Sequence, residues 1–84
     1  MDVLTEVKEV LGEVLSLGDR ANSLTEETAL LGSIPEFDSM AVVSVLTAIE
    51  ERFGFTIEDD EITAEVFESV GTLNRFVEKK LEEI

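Results

Sequence analysis

Apolar residues recur at helical spacing near the N-terminus, over the stretch from Asp2 to about Leu15. With successive residues set 100° apart, the apolar side chains fall within about 140° of arc, which is typical of one core-facing stripe. The glutamates of the same stretch lie outside that arc. The pattern therefore predicts an amphipathic first helix whose stripe is formed by Val3, Leu4, Val7, Val10, Leu11, Val14 and Leu15.

The segment from Leu17 to Phe37 is predicted to be a long connection, because glycine, asparagine, proline and small polar residues interrupt any helical pattern. Connections of this length are uncommon in compact domains and are often functional. The segment also contains apolar residues that a free linker would lack. We expect these residues to pin the connection onto the core: Leu24, Leu30, Leu31 and Ile34.

A second helix is predicted to begin near Asp38 and Ser39 and to run to about Phe53, with Gly54 as its stop. Relative to Val42, apolar residues at offsets of three, four, seven and eleven share one face. This spacing predicts a complete core-facing stripe of Val42, Val45, Leu46, Ile49 and Phe53.

Met40 lies on the side of this second helix that is opposite the core stripe. One interpretation is that the long connection or a neighbouring helix covers it. The other is that Met40 is exposed and touches a partner, for which its flexible, polarisable side chain is well suited.

The last third of the chain predicts two more elements. A short third element lies within about Asp60 to Val70, Gly71 breaks the chain, and Thr72 caps a final helix that runs to about Glu83. No segment shows sustained alternation of apolar and polar residues, so no sheet is expected. The predicted fold is all-α, a small bundle of three main helices plus one short helix, with the long loop between the first and second helices.

The composition indicates a chain that is folded and strongly acidic. The 84 residues fit a single domain, residues 1–84. There are 20 acidic and 6 basic residues, for a net charge of −14, yet 44% of the residues are hydrophobic. A disordered acidic tail would be poor in such residues. The charge argues against binding of nucleic acid or of anionic membranes, and it favours partners with a basic patch.

The residue types that are missing exclude several kinds of chemistry. The chain has no His, Cys, Trp or Tyr. Catalytic triads with a His base, zinc sites built on Cys or His, and disulfides are therefore impossible within it. We expect no catalytic residues and no metal site. The absence of cysteine suits a reducing cytoplasm, and we expect the protein to be a monomer. The first ten residues lack the basic start and apolar run of a signal peptide, and no apolar stretch approaches the length of a membrane helix.

Two features allow both a structural and a functional interpretation. The acidic run from Glu58 to Glu61 is either a solvated turn or a weak divalent-cation site, although it lacks the spacing of a calcium loop. Ser39 is either a helix cap or a hydroxyl available for modification. A phosphate ester at a helix N-terminus lies close to backbone N–H groups and to the positive end of the helix dipole.

The motif Asp38-Ser39-Met40 opens an amphipathic helix in the middle of the chain, after the leucine-pinned connection. The stretch Ile49-Glu50-Glu51-Arg52-Phe53-Gly54-Phe55-Thr56-Ile57 follows it. Together these motifs resemble the acyl carrier protein family over nearly the whole chain. The Asp-Ser-(Leu/Met) core is specific in this context, and the second motif adds independent support.

The resemblance implies that Ser39, with Asp38 beside it, is the attachment site of 4′-phosphopantetheine. A phosphopantetheinyl transferase (carrier-protein synthase) would attach the arm, using magnesium and coenzyme A. The domain would carry acyl groups as thioesters without catalysing their reactions. It would present them to acyl-activating, condensing or acyl-transfer enzymes with basic docking patches. The resemblance places docking on the second helix, at Met40, Ala41, Val43, Ser44, Thr47, Glu50 and Glu51.

The resemblance also implies an apolar pocket for the acyl chain. The positions that line it in the family are occupied here by Val42, Val45, Leu46, Ile49 and Ile57. The same residues would be ordinary core in a protein without cargo, and the apolar stripe alone does not separate the two interpretations.

Three departures from the family pattern bear on the partners. Ala41 and Ser44 stand where carriers of fatty acid synthesis commonly have acidic residues, and Arg52 replaces another frequent acid. The second helix is therefore less negative near Ser39 than is usual. We hypothesise a specialised carrier of fatty acid or other acyl and lipid biosynthesis, whose partners differ from the main fatty acid synthase.

Four other functions are weighed. D-alanyl carriers of cell-wall modification share the Asp-Ser-Met motif and are the main alternative, whereas peptidyl carriers typically have a Gly-Gly-x-Ser pattern that is absent here. An unmodified acidic interaction module would explain the charge but not Met40. An autonomous enzyme is disfavoured, because a small core offers little room to bury a carboxylate pair and perturb its pKa values.

Overall fold

Three α-helices form the frame of the protein: α1 (Val3–Val14), α2 (Ser39–Phe53) and α3 (Val70–Glu83). The computed structural model describes residues 2–30 and 38–83. Short 3-10 helices supplement the frame at Gly18–Ser23, Asp59–Glu61 and Ala64–Phe67. The described residues contain no β-strand, only an isolated antiparallel bridge. The prediction of an all-α bundle is confirmed, and the last 3-10 helix lies where the short third element was predicted.

The core is built from the predicted stripes of the three helices. Residues from every helix are shielded from solvent, because the stripes of α2 and α3 both pack against α1. The largest of them are Val7, Val10, Leu11, Val45, Ile49, Val70, Leu73 and Val77. Leu24 and Leu30 are also buried in this core, so the prediction that they pin the connection is confirmed. Leu31 and Ile34 lie outside the described residues.

Helix α1 ends in a Schellman motif, which satisfies a carbonyl at its C-terminus. The backbone N–H of Leu17 donates to the carbonyl of Gly12 over 3.0 Å. Ser16, between the helix and Leu17, has a φ of 54°. That left-handed conformation is the one in which glycine is normally found.

Helix α3 begins at Val70, two residues earlier than Thr72, so the predicted break at Gly71 is wrong. The cap is a reciprocal pair: the backbone N–H of Thr72 donates to Oγ of Ser69 over 3.2 Å, and the N–H of Ser69 donates to Oγ1 of Thr72 over 2.9 Å. A Cβ at Gly71 would lie 2.8 Å from the carbonyl oxygen of Glu26. This glycine therefore permits a close approach of two segments and does not interrupt the helix.

The long connection is joined to the start of α3 through its backbone. Three hydrogen bonds of 2.9–3.0 Å link the two segments: Leu30 N–H to the Glu68 carbonyl, Val70 N–H to the Thr28 carbonyl, and Gly71 N–H to the Glu26 carbonyl. They place the connection across the end of the bundle. Within the described ranges, no helix combines the length and apolarity needed to cross a membrane.

Candidate functional site

The first turn of α2 is capped by Asp38. Its Oδ1 accepts a hydrogen bond from the backbone N–H of Ala41 over 2.8 Å, and its carbonyl accepts one from Val42 over 3.0 Å. Asp38 therefore fills the cap position that Ser39 was also a candidate for, and Ser39 is the first residue of the helix. The backbone N–H groups of a first turn and the helix dipole favour an anion at this end.

An exposed apolar face follows directly along α2. The side chain of Met40 is 75% exposed and that of Val43 is 61% exposed. The prediction that Met40 lies exposed on the side opposite the core is confirmed; its contact with a partner stays a prediction. The polar neighbours of the two side chains are Ser44, Thr47 and Glu51, which are exposed, and Glu50, which is partly buried; Ala41 is also partly buried. Exposed apolar residues with a polar rim are typical of a docking surface.

A groove of about 390 Å³ runs beside this face, between α2 and the segment that follows it. Its volume lies within the range of about 300–1,000 Å³ that is usual for small-molecule sites. Residues from both sides line it: Val42, Val43, Leu46, Thr47, Glu50, Ile57 and Ile62.

The groove contains three of the five residues predicted for an acyl pocket, namely Val42, Leu46 and Ile57. Val45 and Ile49 are fully buried and lie behind it in the core. Sequence reasoning did not assign Ile62 to this groove. The signal for it was an isolated apolar residue after the acidic run, facing the same way as Ile57.

The far wall of the groove is held against α2 by a carboxylate. Glu50 Oε2 accepts a hydrogen bond from the backbone N–H of Ile57 over 2.7 Å. Gly54, with a φ of 77°, reverses the chain at the end of α2, and the rings of Phe53 and Phe55 stack with centroids 6.1 Å apart. The motif from Ile49 to Ile57 thus returns the chain to the groove.

Arg52 is turned away from the exposed face of α2 and toward α1. Its Nε lies 2.6 Å from Oε2 of Glu6, and one terminal nitrogen lies 2.9 Å from Oε2 of Glu9. The departure from the family pattern at this position therefore has a structural cause, because the guanidinium links two helices.

The acidic run forms a turn linked to α3, since Lys80 Nζ lies 2.8 Å from Oε1 of Glu61. This hydrogen bond is the main cause that lowers the pKa of Glu61 and raises the pKa of Lys80. Among the residues that the structure describes, no three His, Cys, Asp or Glu side chains come close enough to hold a metal ion.

Comparisons with known proteins agree on one class. The family model described as "Phosphopantetheine attachment site" matches residues 2–78. Aminoacyl carrier protein 1 of Bradyrhizobium diazoefficiens is 32% identical over 81 residues, covering 96% of this chain and 88% of the relative. An acyl carrier protein of Exiguobacterium is 30% identical over 79 residues, covering 94% of each chain.

A solved structure gives a third comparison. The solution NMR structure of a holo acyl carrier protein from Nitrosomonas europaea superposes with a TM-score of 0.90 at 55% sequence identity. The match covers 98% of this chain and 99% of that one.

The capped start of α2, the groove and these matches define a carrier domain. The chain belongs to the phosphopantetheine-dependent acyl carrier protein family. Its prosthetic group is 4′-phosphopantetheine, and its function is to bear acyl groups. Proteins of this family are carriers, not catalysts, and they interact with phosphopantetheinyl transferases and acyl-handling enzymes. The alternative of an unmodified acidic interaction module is therefore set aside.

Proposed function

We propose that Ser39 is the residue to which 4′-phosphopantetheine is attached. The observation that carries this proposal is the placement of Ser39 as the first residue of α2, between the Asp38 cap and the exposed Met40. A phosphate ester attached to the first residue of a helix is close to unpaired backbone N–H groups and to the positive end of the helix dipole. When bound, the arm supplies a thiol that carries the cargo as a thioester.

The residues around Ser39 fit such a group. Asp38 fixes the first turn by accepting from Ala41, so its carboxylate is committed to the helix backbone. The groove begins one turn further along at Val42 and Val43. Apolar cargo is sheltered there by Val42, Leu46, Ile57 and Ile62, with Val45 and Ile49 forming the core behind them.

The docking face is the exposed surface of α2, formed by Met40, Ala41, Val43, Ser44, Thr47, Glu50 and Glu51. Its apolar centre fits a shallow apolar contact on the partner, and the acids at its far end fit a basic patch. Because Ala41 and Ser44 are uncharged, the face carries little negative charge near Ser39. This supports a specialised carrier whose partner enzymes differ from those of the main fatty acid synthase.

A second cargo class has an observation in its favour. One relative, 32% identical over nearly the whole chain, is an aminoacyl carrier protein. An aminoacyl cargo, including the D-alanyl group of the earlier alternative, would use the same Ser39. Offering the modified protein to acyl-activating and aminoacyl-activating enzymes separates the two, because only the matching class would load it.

The attachment is tested by intact mass before and after incubation with coenzyme A, magnesium and a broad-specificity phosphopantetheinyl transferase. The parent gains one arm, and Ser39→Ala gains none. Ser23→Ala is the matched control, because Ser23 is an exposed serine in the 3-10 helix far from α2 in sequence. Modification of Ser39→Ala, or loss of modification in Ser23→Ala, would contradict the assignment.

A further inference from the structure

The outer wall of the groove is the segment 57–62, which faces α2 through Ile57 and Ile62. The wall is attached at both ends by side-chain contacts. Near its start, Ile57 donates its backbone N–H to Glu50 of α2 over 2.7 Å. Near its end, Glu61 pairs with Lys80 of α3 over 2.8 Å.

The contact with Lys80 is more than a surface ion pair. The Lys80 side chain is only 13% exposed, so its stem is packed and its ammonium group is held in one place. The second oxygen of Glu61, Oε2, lies 3.4 Å from the backbone nitrogen of Glu58, and the Glu61 N–H donates to the Glu58 carbonyl over 3.0 Å. One carboxylate thus closes the turn and fastens it to α3.

Ile62 directly follows this carboxylate and is itself a groove residue. A longer cargo has to push the outer wall away from α2 once the space beside Ile57 and Ile62 is filled. Because Ile62 adjoins Glu61 in the chain, moving Ile62 outward also displaces Glu61, whose carboxylate is held by Lys80 of α3. The ion pair therefore opposes widening at this end of the groove.

We infer that Lys80 is a positioning residue for cargo size: through Glu61 it holds Ile62 against α2 and limits the length of acyl chain that the groove shelters. The inference rests on the proposed use of this groove for cargo. It predicts that breaking the pair favours longer chains and leaves short ones unaffected.

The test uses the holo protein loaded with hexanoyl, octanoyl, decanoyl and dodecanoyl groups, with loading confirmed by intact mass. The readout is the rate at which hydroxylamine cleaves the thioester, because a sheltered chain withdraws the thioester from solvent. In Lys80→Met the decanoyl and dodecanoyl thioesters are cleaved about two- to five-fold more slowly than in the parent, the range expected for loss of one partly exposed ion pair. The hexanoyl rate is unchanged.

Two variants distinguish the positioning role of Lys80 from a general effect on the stability of the protein. Lys79→Met removes the same charge from the preceding, exposed lysine and keeps the parent profile. Lys80→Arg keeps a cation within reach of Glu61, leaves the Glu61 carboxylate free to close the turn, and keeps the parent profile. An equal effect of Lys79→Met, or a profile of Lys80→Arg that matches Lys80→Met, overturns the inference.

The NMR signal of the Ile62 δ1 methyl group distinguishes failure of this inference from failure of the groove assignment. Suppose that acylation shifts this signal in both the parent and Lys80→Met, and that cleavage depends on chain length in the same way in both proteins. That result overturns the role of Lys80 but leaves the groove assignment in place. If no acyl length moves this signal in any variant, the groove does not take the cargo and both proposals fail.

Discussion

Nε of Arg52 on α2 lies 2.6 Å from Oε2 of Glu6 on α1. Both side chains are about 30% exposed, and Glu9 adds a second carboxylate at 2.9 Å. This contact explains why a basic residue is tolerated at the end of a helix whose exposed face is the proposed docking surface. The guanidinium group of Arg52 links α2 to α1.

Replacing Arg52 should weaken that link in a salt-dependent way. Arg52→Gln is expected to lower the free energy of unfolding by up to about 1 kcal/mol, the usual upper value for partly exposed ion pairs. Thermal melts at low and high NaCl measure it, and the deficit should shrink as salt screens the charges. Arg75→Gln is the matched control, because it removes the same charge from an exposed position on α3. Equal melting temperatures for the two variants at low salt would refute the link.

Two replacements of Asp38 should distinguish its hydrogen bond as a helix cap from the effect of its negative charge. Asp38→Ala is expected to cost about 0.5–2 kcal/mol of stability, because the N–H of Ala41 loses its acceptor. Asp38→Asn keeps an oxygen at that position and should cost much less. Urea unfolding measures both. If Asn is as destabilising as Ala, the carboxylate contributes through its charge and not as a cap.

Replacing Ser16 by glycine should stabilise the protein. Its φ of 54° costs a residue with a Cβ about 1–2 kcal/mol, which exceeds the entropic cost of about 0.5–1 kcal/mol for glycine. A net gain of about 0.5–1 kcal/mol in urea unfolding is expected for Ser16→Gly. Ser23→Gly, in the 3-10 helix Gly18–Ser23, should instead lose stability. Destabilisation by Ser16→Gly would show that the Ser16 side chain makes a compensating contact.

Adding acids near Ser39 should change the choice of partner. The double variant Ala41→Asp with Ser44→Glu is expected to raise turnover with fatty-acid-synthase enzymes, because the added carboxylates attract the basic patches of those enzymes. The gain should be largest at low salt. Steady-state rates at two salt concentrations measure it. A rate that stays flat at low salt would count against specialisation through charge.

Acid should weaken the attachment of the outer wall. The bond from Lys80 lowers the pKa of Glu61 from its ordinary value of 4.5, so its stabilising effect is present above that value and is lost as pH falls through the lower, folded value. Glu61→Gln should therefore lower the melting temperature at neutral pH. It should also make the fall in melting temperature on acidification smaller than in the parent. Melting temperatures between pH 7 and pH 3 measure this, with Glu65→Gln, an exposed residue of the same type, as the control. An identical pH dependence in both variants would rule out the pair as its source.

The local parts of the fold were predictable from sequence. The periodic stripe and Gly54 fixed the extent of α2 to within a residue, because cap chemistry and apolar spacing act over a single turn. The start of α3 was missed for a long-range reason. Gly71 is a helix residue whose missing side chain makes room for the Glu26 carbonyl, and nothing near Gly71 in sequence reveals that neighbour.

The candidate site was also predictable in its local features and not in its long-range ones. The motif Asp38-Ser39-Met40 marks the start of α2, where the site is proposed, and the helical wheel placed Met40 outside the core. The wheel did not distinguish Val42, which lies near the middle of the stripe but is open to the groove, from Val45, which lies at the edge of the stripe and is fully buried. Ile62 reaches the groove through the path of the chain after α2, which periodicity within one helix does not describe.

The hydrogen bonds between the long connection and the start of α3 join segments about 40 residues apart. Neither segment can satisfy these backbone groups alone, so the connection becomes ordered in the same step that docks α3, and contacts so distant in sequence slow that step. The amide hydrogens of Leu30, Val70 and Gly71 should then exchange together, as one cooperative unit with the core of α3. The groove wall is attached instead by two side-chain contacts, Glu50 to Ile57 and Glu61 to Lys80, so we expect it to open without unfolding the frame of the bundle.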